Sequence, residues 1–255
     1  KELTILPDSN GKFKLDSNSL HIWPRGEFML IALPNFDRSF TCTLFLPIEG
    51  NNSFSQLNEE KKVLDFFKKY FPDTIQLFSD LTGEYQERPV GKLGSIYCNK
   101  WHYNDRAAIF GDAAHTIVPF FGQGMNASLQ DCTVMHSFIN KYDGNWGKIF
   151  TKFSKKQVPN GHAIANMALE NYIEMRDSVN DPKYKIKREL EFDLENKFYD
   201  RFVPRYSMVS FHEIPYSEVY RRGEVQSELM YSFIAGDLTK KKLYDQIEKK
   251  LTPIR

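Results

Sequence analysis

Cysteine is scarce in this 255-residue chain: Cys42, Cys98 and Cys132 are widely spaced, and no C-x-x-C pair occurs. That argues against a disulfide framework and a zinc site, and leaves reduced, buried thiols as the expectation. Net charge is nearly absent as well. Thirty-four Lys and Arg against 33 Asp and Glu leave +1, so composition gives no reason to expect nucleic acid or an acidic surface as partner. None of the six histidines stands in an H-E-x-x-H or other metal-ligand spacing. No apolar run approaches the roughly 20 residues needed to cross a bilayer; the stretch Leu229-Met-Tyr-Ser-Phe-Ile-Ala is short and soon meets Asp237. Internal repeats, low-complexity tracts and a signal peptide are missing too. The polar start Lys1-Glu-Leu-Thr has no initiator Met, from which we expect the middle of a longer protein.

What is present is ordinary globular composition, 41% hydrophobic and 26% charged, with enough chain to bury a sizeable core. Aromatics are plentiful, 21 Phe and 13 Tyr, which suits a flat ligand and an aromatic core equally. Segments Leu20–Trp23, Glu27–Leu33 and Ser39–Leu46 are rich in β-formers and separated by turn residues, predicting an antiparallel meander. Asn58–Tyr70 predicts an amphipathic helix with Asn58 as N-cap and Pro72 beyond its end. A buried strand is expected at Ala107–Phe110 and a helix over Met125–Ile139. Further helices are expected at Trp146–Lys155, about Pro159–Ser178, Tyr184–Tyr199 and Thr239–Leu251, with Pro182, Pro204 and Pro215 breaking the series. Lys185–Glu191 and similar charged helical stretches read as solvated faces with i,i+4 pairs. Composition shifts from β-rich to helical near residue 140, the best boundary candidate.

The informative stretch is Gly111-Asp112-Ala113-Ala114-His115, followed by Pro119-Phe120-Phe121-Gly122-Gln123-Gly124-Met125-Asn126 and then Asp131. A strand ending at a tight Gly turn delivers the Asp112 carboxylate to the strand's C-terminal edge, where open α/β sheets bind ligands. Ala113 and Ala114 are small enough to let a ligand lie against the backbone. Gly122 and Gly124 permit positive φ and close approach just before a helix. The helix N-terminus then offers free amides to negative charge. His115, after a small-residue turn, reads as structural.

These residues resemble the para-hydroxybenzoate hydroxylase-like flavoprotein monooxygenases, a family of flavin-dependent aromatic hydroxylases. Gly111-Asp112 is similar to the family's second FAD motif, whose aspartate binds the ribityl hydroxyls. The loop from Pro119 to Asn126 resembles the one laid against the isoalloxazine ring. This loop and four further segments are similar to the kynurenine-hydroxylating members. The four are His21-Ile-Trp-Pro-Arg-Gly26, Leu30-Ile-Ala-Leu-Pro-Asn35, Glu170-Asn-Tyr-Ile-Glu-Met-Arg176 and Phe202-Val-Pro-Arg-Tyr-Ser-Met-Val209.

The resemblance implies FAD as cofactor and NADPH as co-substrate, with Gly111, Asp112, Pro119, Gly122, Gln123, Gly124, Met125 and Asn126 at the flavin. It implies a small aromatic amino-acid substrate, L-kynurenine, hydroxylated to 3-hydroxykynurenine through a flavin C4a-hydroperoxide. Asn171 and Tyr206 would hold the amino-acid end, Phe120 and Phe121 would form a dry wall, and Gln123 would bond substrate or flavin or brace its loop. No side chain is expected as catalytic acid or base. The fold it implies combines α/β and α+β parts. Residues 1–100 would form an antiparallel substrate-binding sheet with a helix, 101–140 the C-terminal part of a three-layer FAD/NAD(P)-binding fold, and 141–255 a helical region.

Eukaryotic members sit on the mitochondrial outer membrane facing the cytoplasm, in the kynurenine pathway of tryptophan catabolism and NAD biosynthesis. Peripheral or C-terminal membrane association therefore enters as an expectation, with Lys240–Lys242 and Lys249-Lys250 as its two small basic groups. The family's G-x-G-x-x-G turn is missing here, since Gly122-Gln-Gly124 lacks the third glycine. Two alternatives stay open: a related hydroxylase acting on another phenol or aniline, and a noncatalytic ligand-binding module.

Overall fold

Alternation decides the sheet. In Phe40–Phe45, the side chains of Phe40, Cys42 and Leu44 are buried while those between them are only half so. That is the period-two pattern of a strand with one covered face. In the computed structural model, which describes residues 1–177 and 182–254, this strand is β4. It lies between β1 (Glu2–Ile5) and β3 (Met29–Pro34), and β2 (His21–Pro24) completes an antiparallel sheet of order β1-β4-β3-β2. Leu3 and Ala32 both stand opposite Cys42, and Leu30 stands opposite Leu44. The register therefore gathers the apolar set on one face.

Helices α1 (Glu60–Tyr70) and α2 (Leu81–Glu87) cover that face, with Val63, Phe66, Phe67, Leu81 and Tyr85 joining Leu3, Ile5, Leu30 and Phe40 in one core. Phe28, Phe66, Phe67 and Phe71 meet there as tilted and edge-to-face rings. The meander is as expected, extended by β1. The cap is not: α1 starts after Glu59, which makes no side-chain cap bond. Asn58 Oδ1 instead accepts from Lys62 Nζ at 2.9 Å, which takes the expected cap away from the helix amides.

Residues 1–92 with 173–177 form one compact unit, and 93–172 with 182–254 form a second. The second contains a small hairpin of β5 (His102–Tyr103) and β6 (Ala107–Ala108), and helices α3 (Asp112–His115), α4 (Gly124–Tyr142) and most of α5 (Trp146–Arg176). It also contains α6 (Pro182–Lys197), α7 (Arg205–Phe211), α8 (Tyr216–Ile234) and α9 (Lys240–Lys250). The strand expected at Ala107–Phe110 is corrected on two counts. It is two residues long and antiparallel, and Ile109 and Phe110 are exposed. A strand buried on both faces needs parallel neighbours, and among the described residues none pairs with β6. The parallel layer of a three-layer fold is therefore not formed by the described residues; the architecture they show is mixed, an antiparallel sheet with many helices.

Pro159 does not break the helical series, because α5 runs through it. The ring stands among exposed Lys155 and Lys156, where water can serve the freed carbonyl. The opposite face is pinned by buried Gln157, Asn160, Gly161 and Ile164. The series does break at the other three prolines: Pro182 opens α6, and Pro204 and Pro215 precede α7 and α8 as caps. The expected helix end at Ser178 lies outside the described residues. Thr239 caps α9 by accepting from the Lys242 amide, and Lys185 and Glu189 form an exposed i,i+4 pair at 3.9 Å. All three thiols are free, yet only Cys42 is buried and Cys132 is exposed, which corrects the expectation of buried cysteines. Among the described residues no helix is long and apolar enough to cross a membrane.

Candidate functional site

Gly111 is the hinge of the site. Its φ of +59° and ψ of −145° lie in a region open essentially to glycine alone. A Cβ there would also come within 3.2 Å of Ser128 Oγ on α4. The turn makes Asp112 the first residue of α3, with its side chain exposed. Of the two alanines, Ala113 faces outward, while Ala114 is wholly buried with Trp101, Val134 and Phe153 and cannot line a ligand.

Behind the turn lies a buried carboxylate. Asp131, 1% exposed, accepts from the Gly111 amide at 2.9 Å and from His115 Nε2 at 2.6 Å, both on Oδ2. Its Oδ1 accepts from Gln157 Nε2 at 2.7 Å. A buried carboxylate is tolerated only when its lone pairs are met in this way. His115 stacks on Trp101 with ring centres 5.0 Å apart. It is buried and spends Nε2 on Asp131. Gly161 admits this packing: a Cβ on it would meet Trp101 at 2.8 Å and His115 at 3.1 Å.

The second half of the site is the loop before α4. Pro119–Phe121 forms one 3-10 turn that ends at Gly122, whose φ is +66°. Gly124 is already the first residue of α4, so of the two glycines only Gly122 uses positive φ. The first amides of α4, from Gly124 to Asn126, have no carbonyl behind them in the helix, and Gln123 makes no side-chain cap bond to them. Met125 is 74% exposed and Asn126 is exposed, while a Cβ on Gly122 would have nothing within 4 Å. The chain thus sets an exposed carboxylate, a helix N-terminus and an uncrowded backbone along one end of α4. This fits the polar chain and flat anionic ring of a reduced flavin.

Gln123 is the loop's anchor. It is 8% exposed, and its Oε1 accepts from Tyr216 Oη at 3.0 Å and Asn126 Nδ2 at 3.2 Å. The Tyr216 phenol is pushed up by burial first and by the Asp131 carboxylate second. Phe121 is buried in the core beside Met208 and Val209, and Phe120 is partly buried. Asn171 and Tyr206, expected at the substrate, both meet this turn. Asn171 Nδ2 donates to Phe120 O at 2.6 Å, and the Tyr206 ring stacks on Phe121 at 5.7 Å with 57% of the residue exposed. Next to them in sequence, Glu170 and Arg205 form an ion pair, which Tyr220 and Glu224 extend from α8. Burial, and then its hydrogen bond to Glu170, raise the Tyr220 phenol.

Sequence reasoning quoted Asp131 without a role and missed Gln157, Asn160 and Tyr216 altogether. A signal did exist: Gln157 and Asn160 are polar, three apart on one helix face, and set among Phe153, Ile164 and Met167.

An FAD binding domain family matches residues 72–145, which include both halves of the site. Curated relatives align with nearly the whole chain. A kynurenine 3-monooxygenase of Flavobacterium johnsoniae is 45% identical over 237 residues, 93% of this chain and 53% of that protein.

The chain is similar to kynurenine 3-monooxygenases.

Those of Stenotrophomonas maltophilia (44% identical, 92% of this chain and 52% of the relative) and Myxococcus xanthus (42%, 99% and 55%) agree. The chain spans about half the length of the curated kynurenine 3-monooxygenases that it matches. The resemblance read from the motifs is thus supported over 92–99% of the chain and not only where they lie. The expected mitochondrial outer membrane gains no support from these bacterial kynurenine 3-monooxygenases.

Proposed function

We propose that the full-length protein is an FAD- and NADPH-dependent monooxygenase that hydroxylates L-kynurenine to 3-hydroxykynurenine. The observation that carries this reading is that the Gly111-Asp112 turn packs on α4, against Ser128 and Asp131, while the Pro119–Asn126 loop runs into the N-terminus of the same helix. Both fall inside the matched FAD binding domain segment. Asp112 would bond the ribityl hydroxyls, and the amides of Gly124, Met125 and Asn126 would face the ring's anionic edge. Pro119, Gly122 and Gln123 would shape the loop that carries them. Bound FAD, reduced by NADPH, supplies the electrons and the oxygen chemistry.

The chain's own part is placement and exclusion of water. Phe120 would offer apolar surface from the loop, whereas the expected wall residue Phe121 is taken into the core; Asn171 and Tyr206 would offer amide and hydroxyl groups for the amino-acid end of the substrate. Asn171 also holds the loop, through Phe120 O, so substrate and flavin loops would share it. In this reading 1–100 supply the substrate sheet, 101–140 the C-terminal part of the FAD domain and 141–255 the helical region.

The test is NADPH oxidation by the FAD-loaded full-length protein with and without L-kynurenine, with 3-hydroxykynurenine quantified. Strong stimulation coupled to product is expected. Flavin binding without a response to kynurenine would move the substrate to another phenol or aniline. No flavin binding would overturn the enzyme reading in favour of a ligand-binding module.

A further inference from the structure

Two neighbouring residues at the start of α8 reach both halves of the site, although they lie about ninety positions from it in sequence. Tyr216 donates to Gln123 Oε1, the anchor of the loop, from 93 positions further along the chain. Ser217, the next residue, donates from its amide at 3.0 Å and its hydroxyl at 2.9 Å to Asn160 Oδ1. Asn160 Nδ2 donates to Gln157 Oε1 at 2.9 Å, Gln157 Nε2 donates to Asp131 Oδ1 at 2.7 Å, and Asp131 Oδ2 receives the Gly111 amide. Most of the path is buried: Asp131, Gln157, Asn160 and Gln123 are each under 9% exposed, and Ser217 is half-buried.

A chain of buried amides and a carboxylate is costly unless every member is paired. Apolar side chains of the same size would pack this interior without that cost, so the polar groups act through their direction. What they direct is Gly111, whose φ and ψ need an external hold, and Gln123, whose side chain is drawn away from the α4 amides. We propose that Asp131 and Tyr216 are positioning residues of the flavin site. Asp131 sets the Gly111 turn that aims Asp112, and Tyr216 sets the Gln123 loop that leaves the first amides of α4 open to the ring.

This rests on the flavin reading given above. Asp131→Asn keeps the volume and replaces one acceptor oxygen by an NH2 group, which cannot accept from Gly111 and His115 if it stands at Oδ2, or from Gln157 if it stands at Oδ1. Tyr216→Phe removes a single hydroxyl. A control, Val219→Ala, trims a wholly buried apolar residue of the same helix without touching a polar group. The measurement is FAD affinity by fluorescence titration of the full-length protein, together with the visible circular dichroism of the bound flavin.

Asp131→Asn is expected to weaken FAD about tenfold or more and Tyr216→Phe about threefold to tenfold, the size of one lost buried hydrogen bond. Both are expected to change the flavin's dichroic band. Val219→Ala is expected to lower Tm and leave band and affinity unchanged. Should Asp131→Asn fail to fold, Tyr216→Phe decides alone. Variants that lower Tm but leave affinity within twofold and the band intact would overturn the positioning role, while the flavin reading stands. A wild-type protein that binds no FAD would overturn both.

Discussion

The two compact units bury different kinds of side chain. In the first, the core beneath the sheet is apolar and aromatic, and among the described residues its buried polar ones are three hydroxyls, Ser39, Ser53 and Thr74. In the second, His115, Gln123, Asp131, Gln157, Asn160, Arg222 and Gln226 are buried among the helices. Apolar burial is non-directional and tolerates exchange of similar volumes. Buried amides and charges are costly and hold only in one arrangement. The contrast teaches that the first unit's core rests mainly on non-directional burial, whereas the second also carries directional polar contacts that reach Gly111 and Gln123.

The largest effect that would sharpen this contrast belongs to the apolar core. Phe67→Ala, at a wholly buried position, is expected to cost about 3–5 kcal/mol in denaturant unfolding. Asp131→Ala, which strands the Gly111 amide, His115 Nε2 and Gln157 Nε2, is expected to cost about 3 kcal/mol. Equal losses for Asp131→Ala and an apolar isostere such as Asp131→Leu would support the placement argument, whereas a benign Asp131→Ala would break it. Gly111→Ala follows, at about 1–3 kcal/mol for forcing a side chain into the glycine-only region, measured the same way and by loss of FAD affinity.

Alkali separates the units next. Burial holds the Tyr85 phenol of the first unit up at about 12, and burial with the Asp131 carboxylate raises that of Tyr216 in the second, against 10.0 for an unburied tyrosine. Above pH ~10 the unfolded chain has lost protons that the folded one keeps, so stability is complete below that pH and falls as pH rises through it. Tyr85→Phe should flatten the loss in the first unit and Tyr216→Phe that in the second, as read by urea midpoints across the alkaline range. Smallest of all, Lys62→Ala removes an exposed pair with Glu59 and should move stability by less than about 0.5 kcal/mol.

Much of the first unit was legible because its signals are local. Alternation in Phe40–Phe45 and the periodic Val63, Phe66, Phe67 each speak within a few residues. Strand β1 was missed because its partner β4 lies about 40 positions away and Glu2–Ile5 offers only two buried residues. In the second unit the Gly111 turn and the α4 helix were legible, but Ala107–Phe110 was not. Its residue types predict a buried strand, whereas burial depends on neighbours that local pattern does not report.

Sequence by itself determined the chemistry available at the site: a glycine–aspartate turn, a loop of Pro119 to Asn126 opening a helix, and the likeness to flavin hydroxylases that these carry. It determined the sheet register as well, since a one-residue slip would expose the whole apolar set. Tertiary structure alone decided what holds those pieces. Whether Pro159 ends a helix or rides on its wet side depends on what packs against Gln157 and Gly161. Whether Gln123 faces a ligand or Tyr216 depends on where α8 lies. Contacts across 26 positions, as for Gln157 and Asp131, or 93, as for Tyr216 and Gln123, arise only when packed helices bring the donors within about 3 Å. No pattern confined to neighbouring residues encodes that distance.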